Sequence, residues 1–68
     1  MTIKLYSNHC PLCGIAKAKL DAKNIQYTLI DDVEWLTQNG YDEMPVLEID
    51  GKQITGILDI NTAIAALA

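Results

Sequence analysis

The sequence predicts an α/β domain with the element order β-α-β-α-β-β-α. Three observations predict it. Strand-like and helix-like runs alternate through the first half of the chain, an Asp-Gly pair joins two extended runs in the second, and the last stretch carries apolar residues at helical spacing. The 68 residues fall below the ~100–150 of a typical domain, so residues 1–68 are read as a single domain without a linker.

Each element follows from local chemistry. Thr2–Tyr6 (TIKLY) alternates, with Ile3 and Leu5 on one face, and reads as a first strand. Ser7, Asn8 and His9 form a loop, and Pro11 sits where a helix tolerates proline, in its first turn, which places Cys10 at or just before the N-cap. Leu12 to Lys23 is rich in Ala, Lys and Leu, with Cys13, Ala16 and Leu20 as its buried stripe and Lys17, Lys19 and Lys23 facing mostly outward. Asn24 is a left-handed stop. Gln26–Ile30 (QYTLI) is β-branched and aromatic enough for a second strand. Asp32 caps a short helix through Val33, Trp35 and Leu36 that ends near Asn39-Gly40. Pro45–Ile49, the turn Asp50-Gly51 and Lys52–Thr55 form a hairpin. Gly56 breaks the chain, and Asp59 is expected to cap a last helix whose Ile60, Ala63, Ile64 and Leu67 fall at i, i+3, i+4 and i+7.

Composition narrows the function. Half of the chain is apolar and 21% is charged, a globular balance. Large multi-substrate enzymes and repeat arrays are excluded by length. No apolar run approaches the roughly 20 residues a bilayer span needs, and Met1-Thr2-Ile3-Lys4 runs straight into a strand, so neither membrane nor leader is expected and the cytoplasm is the default compartment. Five lysines, no arginine and nine acids give a net charge of −4. Residues 1–23 hold Lys4, Lys17, Lys19 and Lys23 against Asp21, a net +3, whereas 24–68 hold Lys52 against eight acids, a net −7. An acidic chain without arginine is a poor partner for nucleic acid. The lysines of the first helix raise the potential near Cys10 and favour glutathione or an acidic partner. The acids Asp31, Asp32 and Glu34 around Trp35 read as the solvated face of a short helix.

The chemistry lies in the two cysteines, Cys10 and Cys13, one C-x-x-C. A purely structural disulfide gains most from closing a long loop, and this one would close almost the shortest available. In a cytosolic chain the spacing therefore points to redox chemistry or to a metal. At a helix start, unpaired N–H groups and the positive end of the macrodipole stabilise a thiolate, and C-x-x-C cysteines there have pKa values of about 3.5 to 7.5 against about 8.5 for a free thiol. Cys10 is thus expected to be the exposed nucleophile with a lowered pKa, and Cys13 the partner that resolves the mixed disulfide. His9 adjoins the nucleophile: as imidazolium it lowers the Cys10 pKa further, as a base it accepts the proton, and otherwise it is a solvated loop residue.

Tyr6-Ser7 ahead of Cys10-Pro11-Leu12-Cys13, then Met44-Pro45-Val46 and Gly56-Ile57-Leu58-Asp59, together resemble the glutaredoxins and the related redoxins that reduce ribonucleotide reductase. The resemblance covers nearly the whole chain and implies a minimal thioredoxin fold, a four-stranded mixed sheet with helices packed on it. It further implies a monomeric thiol–disulfide oxidoreductase active in electron transport. Glutathione would be co-substrate, or thioredoxin reductase the reductant; disulfide-containing proteins such as ribonucleotide reductase would be targets. No tightly bound cofactor and no metal are implied, and potentials of such proteins lie at roughly −200 to −270 mV. It implies a cis peptide at Met44–Pro45, whose Met44 backbone pairs with the cysteinyl part of a substrate. It places Tyr6, Pro11, Leu12, Met44, Pro45, Gly56, Leu58 and Asp59 around substrate or glutathione. The Leu58 and Asp59 N–H groups would take the γ-glutamyl carboxylate and the Asp59 carboxylate its ammonium. Leu12 stands where the family has tyrosine, Ile57 where it has a second glycine, and the loop before Cys10 is one residue shorter and lacks the usual lysine. These departures bear on glutathione binding more than on thiol exchange.

The other reading with chemical content is a soft-metal carrier, since C-x-x-C after a first strand also resembles the small copper and zinc chaperones of ferredoxin-like fold, β-α-β-β-α-β. Against it, Asn8 stands where those proteins have methionine, proline between the cysteines is foreign to them, and Asp31–Gly40 reads as a helix.

Overall fold

The computed structural model describes residues 2–67. Its elements are β1 (Ile3–Tyr6), α1 (Pro11–Ala22), β2 (Thr28–Ile30), α2 (Val33–Gln38), β3 (Val46–Ile49), β4 (Lys52–Thr55) and α3 (Ile57–Ala66), in the expected order. The strands form one mixed sheet in the order β2-β1-β3-β4: β1 runs parallel to β2 and antiparallel to β3, and β3 and β4 make the hairpin. This is the minimal thioredoxin fold.

Register sorts the side chains onto two faces. Leu5 lies between Leu29 and Leu47, and Leu47 beside Ile54. On that face Ile3, Leu5 and Leu47 pack against Ala16 and Leu20 of α1 and Ile60 and Ile64 of α3, the larger core. One residue on, Tyr6 lies between Ile30 and Val46 and meets Leu36 of α2 in a smaller core on the opposite face. There the rings of Tyr6, Tyr41 and Trp35 stack, with centroids 4.8 Å apart for Tyr6–Tyr41 and 5.8 Å for Trp35–Tyr41. Glu48 at the rim accepts the Tyr6 hydroxyl at 3.1 Å and pairs across the ladder with Lys4 at 3.7 Å.

The turn chemistry is local. Asn24 (φ 56°) follows α1, and Asp50 (φ 50°) with Gly51 (φ 86°) turns the hairpin. Asp32 caps α2, its carboxylate accepting the Trp35 N–H at 3.2 Å. Asp50 also ties the start of the chain: its N–H donates to the Thr2 carbonyl, and its carboxylate accepts the Thr2 N–H, each at 2.8 Å. Several boundaries differ from expectation: β1 begins at Ile3 rather than Thr2, and α1 ends at Ala22 rather than Lys23. Pro45, lacking an N–H, stays outside the ladder, so β3 begins at Val46. Gln26 and Tyr27 precede β2, the Tyr27 hydroxyl instead reaching the Asp21 carboxylate at 3.0 Å. Asp59 does not cap α3: Gly56 (φ 85°) is the N-cap, and Asp59 lies in the first turn without a capping hydrogen bond. Among the described residues no helix is long and apolar enough to cross a membrane.

Candidate active site

The sulfurs sit where β1 hands over to α1. Ser7, itself buried, donates its N–H to the Ile30 carbonyl at 2.9 Å, which pins the loop to the end of β2. The His9 N–H donates to Ser7 Oγ at 3.1 Å, and His9 adopts a left-handed φ of 65°, a conformation open to few non-glycine residues. The tight turn delivers Cys10 in extended conformation as the N-cap of α1, with Pro11 in the first turn.

Cys10 is partly exposed and Cys13, at 2% exposure, is buried. Cys10 Sγ accepts the Cys13 N–H at 3.3 Å and lies 2.7 Å from Cys13 Sγ. Cys13 Sγ also lies 3.6 Å from Asn8 Oδ1, to which its thiol donates. So close a pair loses its first proton as a unit. Burial pushes the Cys10 thiol up and the contact with the Cys13 thiol adds to this, against the N–H groups of Cys13 and Leu12. Burial pushes Cys13 up as well, but the Cys10 thiol, the Ser7 hydroxyl and the N–H groups of Asn8 and Cys10 outweigh it, and Cys13 is lowered. The expected lowering at Cys10 is thus corrected: Cys10 holds the helix mouth, and the lowering falls on its partner because more donors converge there. Of the two sulfurs, that of Cys10 is the more open to solvent.

His9 faces the Asp31 carboxylate, with 3.4 Å between Nε2 and Oδ2. A cavity of about 220 Å³ opens beside both sulfurs, lined also by His9, Gly14, Lys17 and Leu29. A hollow of about 290 Å³ near Tyr41 and Gln53 has no sulfur in its walls. Among the described residues no group of three or more His, Cys, Asp or Glu side chains is placed to hold a metal ion.

The other expected site residues divide. Pro11 and Leu12 flank Cys10 in the first turn of α1, with Leu12 exposed. The Met44–Pro45 bond is cis, and Pro45 is buried. Leu58 is 79% exposed and Asp59 is exposed, both in the first turn of α3 after Gly56. Tyr6 differs: its ring is buried in the smaller core and its hydroxyl is held by Glu48. Burial and that hydrogen bond push its pKa well above the ordinary tyrosine range. Sequence reasoning gave Asn8 no role here. An asparagine two residues before a cysteine signals nothing until the left-handed turn at His9 is known.

No protein-family model matches the sequence, and no curated protein does. Solved structures match the fold. The glutaredoxin-like protein NrdH-redoxin from Escherichia coli superposes with a TM-score of 0.72 at 21% identity over 100% of this chain and 96% of its own. Na-GST-3, a glutathione S-transferase from the hookworm Necator americanus, gives 0.79 at 22% identity over 98% of this chain and 36% of its own. Glutathione transferase E6 from Drosophila melanogaster gives 0.67 at 29% identity over 97% and 33%. The chain spans about a third of the length of the transferases it matches. These likenesses establish a thioredoxin fold, and one of them runs along almost the whole of a glutaredoxin-like protein.

Proposed function

We propose that the chain is a dithiol, glutaredoxin-like thiol–disulfide oxidoreductase. One observation carries the reading: a partly exposed N-cap cysteine whose Sγ accepts the Cys13 N–H and lies 2.7 Å from the sulfur of Cys13. The Cys10 thiolate attacks a disulfide, forming a mixed disulfide and expelling one thiolate. Cys13 then attacks Cys10 Sγ, the Cys10–Cys13 disulfide forms, and the second thiolate leaves and takes up a proton. Two electrons from a reductant restore the dithiol. Cys10→Ser should abolish exchange with every disulfide. Cys13→Ser should keep the reduction of glutathione mixed disulfides, which needs one thiol. Exchange surviving in Cys10→Ser refutes the assignment.

Glutathione is the co-substrate we favour for the Gly56–Asp59 turn. The first-turn N–H groups of α3 have no intrahelical partners, no side chain caps them, and the exposed Asp59 carboxylate suits an ammonium. Met44 and Pro45, Pro11 and Leu12 would complete that surface. A second reading has a specific support: a structure matched along 96% of its own length is a redoxin described by a thioredoxin-like activity profile. On that reading thioredoxin reductase supplies the electrons and a protein such as ribonucleotide reductase receives them. Coupling the purified protein in turn to glutathione reductase with glutathione and to thioredoxin reductase, with one disulfide substrate, separates the two. The carrier reading loses its ferredoxin-like fold to the observed element order; zinc or copper(I) protecting both thiols equally from alkylation would revive it.

A further inference from the structure

The three tyrosines differ in their surroundings, and the difference singles out one. Tyr6 and Tyr41 share a stack with the sole tryptophan, Trp35. Ring centroids lie 4.8 Å apart for Tyr6–Tyr41, 5.8 Å for Trp35–Tyr41 and 6.3 Å for Trp35–Tyr6, with the planes 13°, 22° and 9° from parallel. All three separations are those of rings in contact. The stack runs from solvent to core, since Trp35 is 41% exposed and Tyr6 only 4%. At the buried end the Tyr6 hydroxyl donates to the Glu48 carboxylate at 3.1 Å. We propose that this stack is a one-electron relay: an oxidising radical takes an electron from Trp35, and the electron vacancy passes to Tyr6 as the phenol proton moves to Glu48. It is a second redox activity, separate from the two-electron exchange of Cys10 and Cys13.

The steps balance. The oxidant gains one electron, and the indole radical cation gives its N–H proton to water, leaving a neutral indolyl radical. An electron then moves from the Tyr6 ring to the indolyl, whose nitrogen regains a proton from water, while the Tyr6 O–H proton crosses to Glu48 Oε1. The net loss from Tyr6 is one electron, to the oxidant, and one proton, through Glu48 to solvent. The proton acceptor decides where the vacancy rests. A phenol that has lost an electron is a very strong acid, so the favoured ring is the one whose O–H already touches a charged acceptor. Burial and the Glu48 contact keep Tyr6 protonated at neutral pH, and without that acceptor its electron would not leave readily. Tyr41 is in the stack, but its hydroxyl accepts from Gln53 Nε2 at 2.7 Å, and among the described residues no carboxylate receives its proton. Tyr27 has a carboxylate, Asp21 at 3.0 Å, but lies outside the stack. Among the described residues Tyr6 alone has both.

The test is pulse radiolysis of the disulfide form with azide radical as the oxidant, which attacks indole ahead of phenol at neutral pH. Indolyl and phenoxyl absorb at different wavelengths and are followed together. The indolyl signal should decay in a first-order step, independent of protein concentration, with a matching rise of phenoxyl. Tyr6→Phe, which keeps a ring in the stack, should remove that step. Tyr41→Phe and Tyr27→Phe should retain it. Glu48→Gln, which leaves a neutral acceptor in contact, should slow it about fivefold to tenfold, the difference between a charged and a neutral hydrogen bond. An indolyl signal that decays only by second-order encounter in the wild-type protein overturns the proposal. So does a first-order step that survives in Tyr6→Phe, is lost in Tyr41→Phe or Tyr27→Phe, or keeps its rate in Glu48→Gln. The thiol–disulfide reading stands or falls separately, on Cys10→Ser.

Discussion

Cys10 and Cys13 are displaced in opposite directions from the ordinary thiol value, Cys10 upward through burial and the shared thiol proton, Cys13 downward through the donors that converge on it. The sign follows for stability. Between the lowered folded value of Cys13 and the unfolded value of about 8.5, the unfolded chain holds more protons, so stability rises with pH. Above the unfolded value the folded chain still holds the Cys10 proton, so stability falls as pH rises. The reduced protein should therefore be most stable near the ordinary thiol pKa, measured by urea unfolding across a pH series, and the maximum should vanish in the disulfide form. Monotonic behaviour in both forms would contradict the opposed shifts. Glu48 offers a second test at this scale. Glu48→Ala strips the acceptor from the buried Tyr6 hydroxyl and should cost about 1–3 kcal/mol, while Tyr6→Phe, which leaves no orphan, should cost less. Equal losses in chemical denaturation would show that the hydroxyl finds another partner.

Most elements are legible because their signals are local. The helical stripe of Cys13, Ala16 and Leu20 is buried as its spacing requires, the Asp-Gly pair turns the hairpin, and Asp32 caps α2. Cys10 is legible as an N-cap because proline follows it. The start of α3 is not. Aspartate is a strong N-cap residue, but the positive φ at Gly56 aims the chain so that the helix begins at once, leaving Asp59 inside its first turn. A backbone angle of that kind has no spacing signature, and the contact between Asn8 and Cys13 is hidden for the same reason behind the left-handed turn at His9. Gly56→Ala isolates the effect. A methyl group there would meet nothing within 4 Å, so its cost, about 1–3 kcal/mol in thermal unfolding, comes from the positive-φ backbone (φ 85°, ψ 129°) alone. Asp32→Ala should cost about 0.5–2 kcal/mol and free the six-residue α2 to fray. The sole tryptophan, Trp35, rides on that helix against Tyr41, so its fluorescence should report the loosening before global unfolding does.

The molecule as a whole has little core to lose. Among the described residues its larger core holds seven buried residues and its smaller one three, and a folding unit of this size seldom commands more than about 3–5 kcal/mol. Leu20→Ala, at a site with no exposure, should cost about 2–5 kcal/mol and leave a large fraction unfolded at room temperature by circular dichroism. A cooperative, fully folded variant would mean that α1 and α3 close over the gap. The pairing of Thr2 with Asp50 has a practical consequence. It holds Thr2 at the hairpin turn, about 13 Å of strand β1 away from the loop that carries the sulfurs. A tether placed ahead of Thr2 would leave the thiols facing outward. The protein could thus be anchored to an electrode or resin in one orientation with Cys10 open to whatever flows past.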